Sequence, residues 1–186
     1  MYINKDERFR SIDSAITYDP YTKLLCLILI YTGCRISESL LVSFHDVQKG
    51  GEDGSRLSLC TLKKRTNVVV MREVPIPKVL VTAIEEVHQL NCLNQLGYTK
   101  HSPLLNWCRT TAWKRVKQVM RTASISDGAH ASPKGWRHGF GVWAVQCNIP
   151  LSFIQRWLGH AKISTTAIYT HAVGRDEYMI AERMWK

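Results

Sequence analysis

No apolar run in this 186-residue chain is long enough to cross a bilayer: the longest, residues 24–31, falls well short of the roughly 20 residues a spanning helix needs. The opening MYINKDERFR is polar and lacks the apolar core of a signal peptide. Six cysteines are scattered without a C-x-x-C pair, which argues against a disulfide scaffold; reduced, buried thiols in a cytoplasm are expected instead. The chain also lacks H-E-x-x-H, a paired-acid motif and any Cys/His run with zinc spacing, so neither a metal nor another cofactor is expected. There is no internal repeat, low-complexity tract or linker, and 186 residues suit one well-buried core. Acid is in deficit: 15 Asp and Glu stand against 25 Lys and Arg, a net charge of +10. With 45% apolar residues, that describes a globular domain suited to a polyanionic partner, most simply nucleic acid.

The hydrophobic pattern predicts mostly helices. Asp19-Pro20 breaks a polar opening segment, and residues 21–31 are apolar almost all round, as in a buried helix. After Thr32-Gly33 a second helix is expected to carry Arg35, Ile36, Glu38, Leu40 and Leu41. Residues 57–62 and 68–76 read as two strands joined by a basic tip, Lys63-Lys64-Arg65-Thr66-Asn67. An amphipathic helix over 78–90 is followed by a polar connection, 91–101. Trp107, Trp113, Val116, Val119 and Met120 then recur at helical spacing. Lys114, Arg115, Lys117 and Arg121 lie mostly on the other side, facing either a DNA backbone or water. Pro133 starts a helix with Trp136, Phe140, Trp143 and Ala144 inward, and Pro150 starts another with Leu151, Ile154 and Leu158, stopped by Gly159. Ser164, Thr165 and Thr166 cap a short helix with Ile168 and Tyr169, and residues 171–186 read as a final helix. The expected fold is mainly α (α+β), with a small antiparallel hairpin or sheet at one edge.

Polar residues with chemical potential cluster at the edges of these elements. Arg35 follows Gly33 at a helix start, where a guanidinium needs an acid or a phosphate as partner; Glu38, three residues on, is placed to brace it. Lys134 and Arg137 sit at a helix N-terminus, which itself favours phosphate. His160 stands just past the Gly159 stop, and Tyr169 follows it by nine residues. Two arginines suit the anionic oxygens of a phosphodiester, and a phenol is a potential covalent nucleophile.

TGCRISESLLVSFHDV, the K-x-x-R of Lys134 to Arg137, the L-G-H ending at His160 and the following Tyr169 together resemble the tyrosine recombinases, the phage integrase family. The resemblance covers nearly the whole chain in order. It implies a catalytic set of Arg35, Lys63, Lys134, Arg137, His160 and Tyr169, with Lys64 the alternative to Lys63 as the hairpin lysine. It implies that Tyr169 attacks phosphorus to form a 3′-phosphotyrosyl bond and free a 5′-hydroxyl, with the hairpin lysine as general acid. Double-stranded DNA is the implied partner, bound by a homo-tetramer on paired sites, for integration, excision, inversion or resolution in a mobile genetic element. Lys134 stands where many members have histidine, which exchanges a group titrating near neutrality for one normally charged. Members commonly carry an N-terminal helical DNA-clamping (core-binding) domain ahead of the first box. With only 31 residues before Thr32, residues 1–186 are expected to be a single catalytic domain without that clamp. A DNA-binding regulator with an idle tyrosine, or relaxation of the type IB topoisomerase kind, are the alternatives.

Overall fold

The structure, a computed structural model, describes residues 2–50, 54–61 and 70–170. Its centre is the apolar helix that follows the Asp19-Pro20 break. Ahead of it lies α1 (Lys5–Ile16), which the polar opening segment did not lead one to expect. Asn4 and Glu7 form its capping box, each side chain accepting from the other's backbone N–H at 2.9 Å. Its buried residues are only Ser11 and Ala15, so no apolar stripe betrays it. Polar contacts tether it instead: Trp136 Nε1 donates to Ser11 Oγ at 3.2 Å and Arg10 Nε to the Ala123 carbonyl at 3.0 Å.

Helix α2 (Pro20–Thr32) begins on Asp19, whose side chain accepts the Thr22 N–H at 3.1 Å, and ends on Gly33 at φ 62°. Every residue from Leu24 to Ile30 is buried, because helices pack on several sides of α2. The second helix expected after Gly33 shrinks to a single turn, α3 (Ile36–Ser39). The chain then turns away: the Val42 carbonyl accepts the Leu104 N–H at 2.8 Å, Ser43 bridges to Pro103, and Leu41 is left exposed.

Three antiparallel strands follow in the order β1 (Val47–Gln48), β2 (Ser55–Thr61) and β3 (Val70–Ile76). The expected strand residues Leu62, Val68 and Val69 lie outside the described residues, as does the basic tip between them. Alternation aims Leu57, Leu59 and Thr61 of β2, and Arg72, Val74 and Ile76 of β3, at the interior. Arg72 is the one charged residue in that inward row.

Helix α4 (Lys78–Asn94) runs further than the apolar pattern suggested. Asn91, read as part of a polar connection, is fully buried: its Nδ2 donates to the Leu104 carbonyl and its Oδ1 accepts from Tyr21 O–H, both at 3.0 Å. In α5 (Arg109–Thr122), Trp113 is exposed and the basic face is partly engaged within the fold. Lys117 Nζ holds Asp127 at 3.0 Å and the Ala131 carbonyl at 3.1 Å, while Arg115 stacks over Trp107. Helices α6 (Pro133–Gln146) and α7 (Leu151–Leu158) bury Trp136, Phe140, Ala144, Ile154 and Leu158 as the pattern required; Trp143 is only half-buried, edge-on to Phe9. A short α8 (Ser164–Ala167) follows.

All six cysteines are free, but only Cys26 and Cys34 are buried; Cys92, Cys108 and Cys147 are exposed, which corrects the expectation of buried thiols. They sit on outward positions of helices or at helix ends, where nothing packs over them. Among the described residues no helix is long and apolar enough to cross a membrane. The expected helix within 171–186 lies outside the described residues.

Helix α6 approaches its neighbours through glycine. A Cβ at Gly139 would stand 2.4 Å from the Ile3 carbonyl oxygen, so the segment leading into α1 must shift to admit one. Gly139→Ala is therefore expected to lower stability by about 1–3 kcal/mol through overpacking, despite its better helix propensity. A urea midpoint equal to or above that of the parent protein would show that the seam is looser than described.

Candidate active site

Arg137 projects from the second turn of α6 into the gap between two helix ends. Its Nη1 donates to the Gly33 carbonyl at 2.8 Å and its Nη2 to the Leu158 carbonyl at 2.7 Å. Helix C-termini leave carbonyls without intrahelical partners, and their dipoles favour a cation. One guanidinium thus locks the ends of α2 and α7 together. Burial, and then the nearby Arg35, push the Arg137 pKa down to about 10, which still leaves it charged at neutral pH.

Arg35 is the N-cap of α3 and keeps 45% of its side chain exposed. Glu38, wholly buried, accepts from Arg35 twice: from Nη1 at 2.8 Å and from the backbone N–H at 2.9 Å. The same carboxylate accepts from Arg72 Nη2 at 2.6 Å. Burial alone would raise the Glu38 pKa, but Arg72 and the donors of Arg35 outweigh it and hold the carboxyl below its ordinary range.

His160 lies immediately after Gly159, which closes α7 at φ 66°. Its Nδ1 is 2.9 Å from Thr166 Oγ1, and its backbone N–H donates to the Gln155 carbonyl at 3.0 Å. Burial, with Arg137 and Arg35 adding to it, depresses the His160 pKa to about 4, so the ring is neutral at physiological pH.

Tyr169 falls in the turn after α8 rather than on that helix. It is 3% exposed and packs with Phe140, Ile154 and Leu158. Its ring lies 6.3 Å from that of His160, nearly parallel, and 5.8 Å from that of His138, edge-on. Gly141 makes room for it: a Cβ there would stand 2.5 Å from the phenol ring. Burial raises the phenol pKa against the pull of Arg137, so Tyr169 is un-ionised at neutral pH.

The structure therefore brings Arg35, Arg137, His160 and Tyr169 together. Lys134 stands exposed on the first turn of α6, one turn before His138, and forms no hydrogen bond or ion pair among the described residues. Its charge, after burial, helps to lower the His138 pKa. Lys63 and Lys64 lie outside the described residues. Sequence reasoning missed Arg72 and Gly141, placed His138 near the start of its helix without a role in the site, and read Thr166 only as a capping hydroxyl. Two of these carried a signal: Arg72 is a charge in the inward register of a strand, and His138 is one helical turn from Lys134. An open groove of about 300 Å³ between β3 and α7 is lined by Thr61, Arg72, Gln155, Arg156, Gly159 and His160. Arginine donors, a neutral imidazole and a phenol form a set suited to holding a phosphodiester and attacking it.

A mainly helical domain with a three-stranded sheet and this set of side chains defines a tyrosine-recombinase catalytic domain. The chain belongs to the phage integrase family, whose sequence model matches residues 3–174. It is 28% identical to the tyrosine recombinase XerA of Pyrococcus furiosus over 197 aligned positions, spanning 96% of this chain and 60% of that protein. It is 32% identical to the tyrosine recombinase XerC of Roseiflexus castenholzii over 158 positions, spanning 80% of this chain and 46% of that protein. Among solved structures, XerA recombinase superposes with a TM-score of 0.77 at 22% identity, covering 97% of this chain and 65% of that one. The XerH recombinase bound to its difH substrate, in a pre-cleavage complex, gives 0.75 at 19% identity, covering 100% and 52%. The chain thus spans less than two thirds of the length of these relatives.

The His160 environment has a measurable consequence. Its ordinary value of 6.5 lies above its folded value of about 4, so the unfolded chain takes up the proton first. The stability that comes from a neutral His160 is complete above the unfolded value and is lost as pH falls toward the folded one. Titration of the ring resonances in the folded protein should give a midpoint near 4. Saturation with a short DNA duplex should move it upward, because a docked phosphate offsets the arginine charges. A midpoint at the ordinary histidine value in the free protein, or a downward move on DNA, would contradict this electrostatic picture.

Proposed function

We propose that this chain breaks and rejoins DNA strands as the catalytic domain of a site-specific recombinase, through a covalent 3′-phosphotyrosyl bond at Tyr169. The observation that carries the proposal is the convergence of Arg35, Arg137 and His160 on a buried tyrosine in a chain of this family. Residues 1–186 are read as one catalytic domain. The substrate is double-stranded DNA, in keeping with the DNA-bound XerH neighbour, and four copies on paired sites complete an exchange.

In this reading Arg35 and Arg137 bind the nonbridging oxygens of the scissile phosphate and neutralise the charge that grows in the transition state. The Tyr169 oxygen attacks phosphorus. Its proton passes to a neighbouring base, for which the neutral His160 is suited. The bond from phosphorus to the 5′-oxygen breaks, and Lys63 or Lys64 protonates the departing oxygen. Lys134, at the N-terminus of α6, adds a further cation toward the phosphate. Because the phosphotyrosyl bond retains the phosphoester linkage, a 5′-hydroxyl can reverse the step without ATP.

A pool of duplexes nicked just beyond the cleavage point tests this directly, since the short 5′-hydroxyl fragment diffuses away and leaves the adduct stranded. The parent protein should give a denaturation-resistant shift in the presence of EDTA, and Tyr169→Phe should give none. Arg35→Ala and Arg137→Ala should each slow adduct formation roughly 10²- to 10³-fold, which corresponds to about 3–4 kcal/mol of barrier. DNA binding without any adduct from the parent protein would refute the proposal and favour a regulator on a recombinase fold. Relaxation of plasmids by the monomer would favour topoisomerase action instead.

A further inference from the structure

We infer that His138 is the catalytic base of the cleavage step, the group that takes the proton of Tyr169 as the phenol oxygen attacks phosphorus. This deepens, and rests on, the reading of Tyr169 as the nucleophile. Two histidines flank the phenol, and they meet it differently. The His160 ring lies 22° from parallel with it, at a centroid separation of 6.3 Å. Stacked rings turn their faces toward each other, whereas the nitrogens of an imidazole lie in its plane, so those of His160 run alongside the phenol. The His138 ring stands at 71° to the phenol, edge-on, at 5.8 Å.

The hydroxyl end of the phenol rests on the face of α6 that carries His138. A Cβ at Gly141 would stand 2.6 Å from Cζ of Tyr169, the carbon that bears the hydroxyl. His138 precedes Gly141 by three residues, about one helical turn, and so shares that face. Among the described residues neither the half-buried His138 ring nor the Tyr169 hydroxyl makes a hydrogen bond, so both are open to each other. His160, by contrast, already engages Thr166 Oγ1 through Nδ1 at 2.9 Å. Burial first, and then Arg137 and Arg35, bring the His160 pKa down to about 4. That makes it a weak acceptor for a phenol proton and groups it with the arginines read as holding the phosphate.

In the free protein the two rings are in edge contact, and hydrogen bonds of this kind often tighten only once substrate is bound. Burial, then Lys134 and Arg137, lower the His138 pKa, so the ring is neutral and able to accept. As the bond from the Tyr169 oxygen to phosphorus forms, the phenolic O–H bond breaks and its proton passes to a ring nitrogen of His138, giving an imidazolium. The bond from phosphorus to the 5′-oxygen breaks in the same step. The departing 5′-oxygen keeps the bonding electron pair and takes its own proton from a separate donor, water at the simplest. A docked phosphodiester offsets the charges of Lys134 and Arg137 and so favours the imidazolium. When a 5′-hydroxyl reverses the step, His138 returns the proton to the phenol oxygen.

Changing the nucleophile separates this role from a merely structural one. An ordinary phenol ionises near pH 10, roughly, and needs a base at neutral pH. A fluorinated tyrosine placed at position 169 ionises near neutrality and needs none once it is the phenolate, a state that fluorine NMR reads directly. Single-turnover adduct formation on the nicked duplexes is measured at saturating DNA for the parent protein, His138→Gln and His138→Phe, each with either nucleophile. Thermal melts confirm that each protein is folded. His138→Phe keeps an aromatic edge against Tyr169 but has no nitrogen; His138→Gln keeps hydrogen bonding but is not basic. With the native tyrosine both variants should react roughly 10²- to 10⁴-fold more slowly than the parent, the usual scale of general base catalysis. With the ionised fluorotyrosine they should come within about threefold of the parent carrying the same nucleophile, because proton removal is bypassed. Equal slowing with both nucleophiles, or a His138→Phe protein as fast as the parent with native tyrosine, overturns the inference. If one variant does not fold, the other decides between the same outcomes. If the fluorinated parent is inactive, free imidazole added to His138→Ala decides: restored adduct formation supports the inference and no restoration overturns it. Failure of the unmodified parent to form any adduct would instead count against the reading of Tyr169, before His138 comes into question.

Discussion

The site depends on one buried carboxylate. Glu38 has no exposed surface, yet it remains ionised because Arg72 and Arg35 supply donors to both of its oxygens. A carboxylate in that position without its partners would be strongly destabilising, whereas an exposed ion pair contributes little. Its role is geometric as well as energetic. Oε1 accepts from Arg35 Nη1 and sets the direction of that side chain, while Oε2 accepts both the Arg35 backbone N–H at the start of α3 and Nη2 of Arg72, from a strand that arrives from far along the chain. The half-exposed Arg35 is therefore held from its buried side, with its outer side left toward solvent.

Arg137 is positioned by a different device. It satisfies the carbonyls of Gly33 and Leu158, at the ends of two helices that are distant in sequence. This accounts for the conformation of both stops. Gly33 and Gly159 adopt positive φ, which glycine allows at no steric cost, and each turn leads into a residue of the site, Arg35 two positions after Gly33 and His160 immediately after Gly159. Gly33 leaves no room for a side chain against Phe140, and Gly159 leaves only a tight fit against Arg72 and Thr61. The helix terminations and the site geometry are one arrangement.

Three arginines around a single acid make the surroundings electropositive even before any anion arrives. The cost of gathering these charges appears in the neighbours: Arg137 and His160 both have lowered pKa values, from burial first and like charge second. A neutral imidazole and an un-ionised phenol beside fixed guanidinium groups form a preorganised seat for negative charge, which is how electrostatic catalysis avoids reorganisation at the moment of reaction. Tyr169 reaches this seat because Gly141 lets the phenol lie directly against α6.

The buried helix at residues 21–31, the strand pair, and the two helices opened by Pro133 and Pro150 were legible, since apolar periodicity and proline placement act locally. The same local logic placed Arg35 beside Glu38, three residues apart on one turn. Helix α1 was not legible because it buries Ser11 and Ala15 and is held by polar contacts to Trp136 and Ala123, which no sequence period records. Asn91 was misread for a similar reason: its partners, Leu104 and Tyr21, come from separate segments. The sequence by itself determined the helical class, the basic character and the order of the candidate groups, because these follow from residue type and spacing. Only the tertiary structure decided that Arg72 closes on Glu38, that Arg137 spans two helix ends, and that Tyr169 lies between two histidines. Those contacts join residues remote along the chain, and a buried charge finds its partners only when the whole fold has excluded water around it.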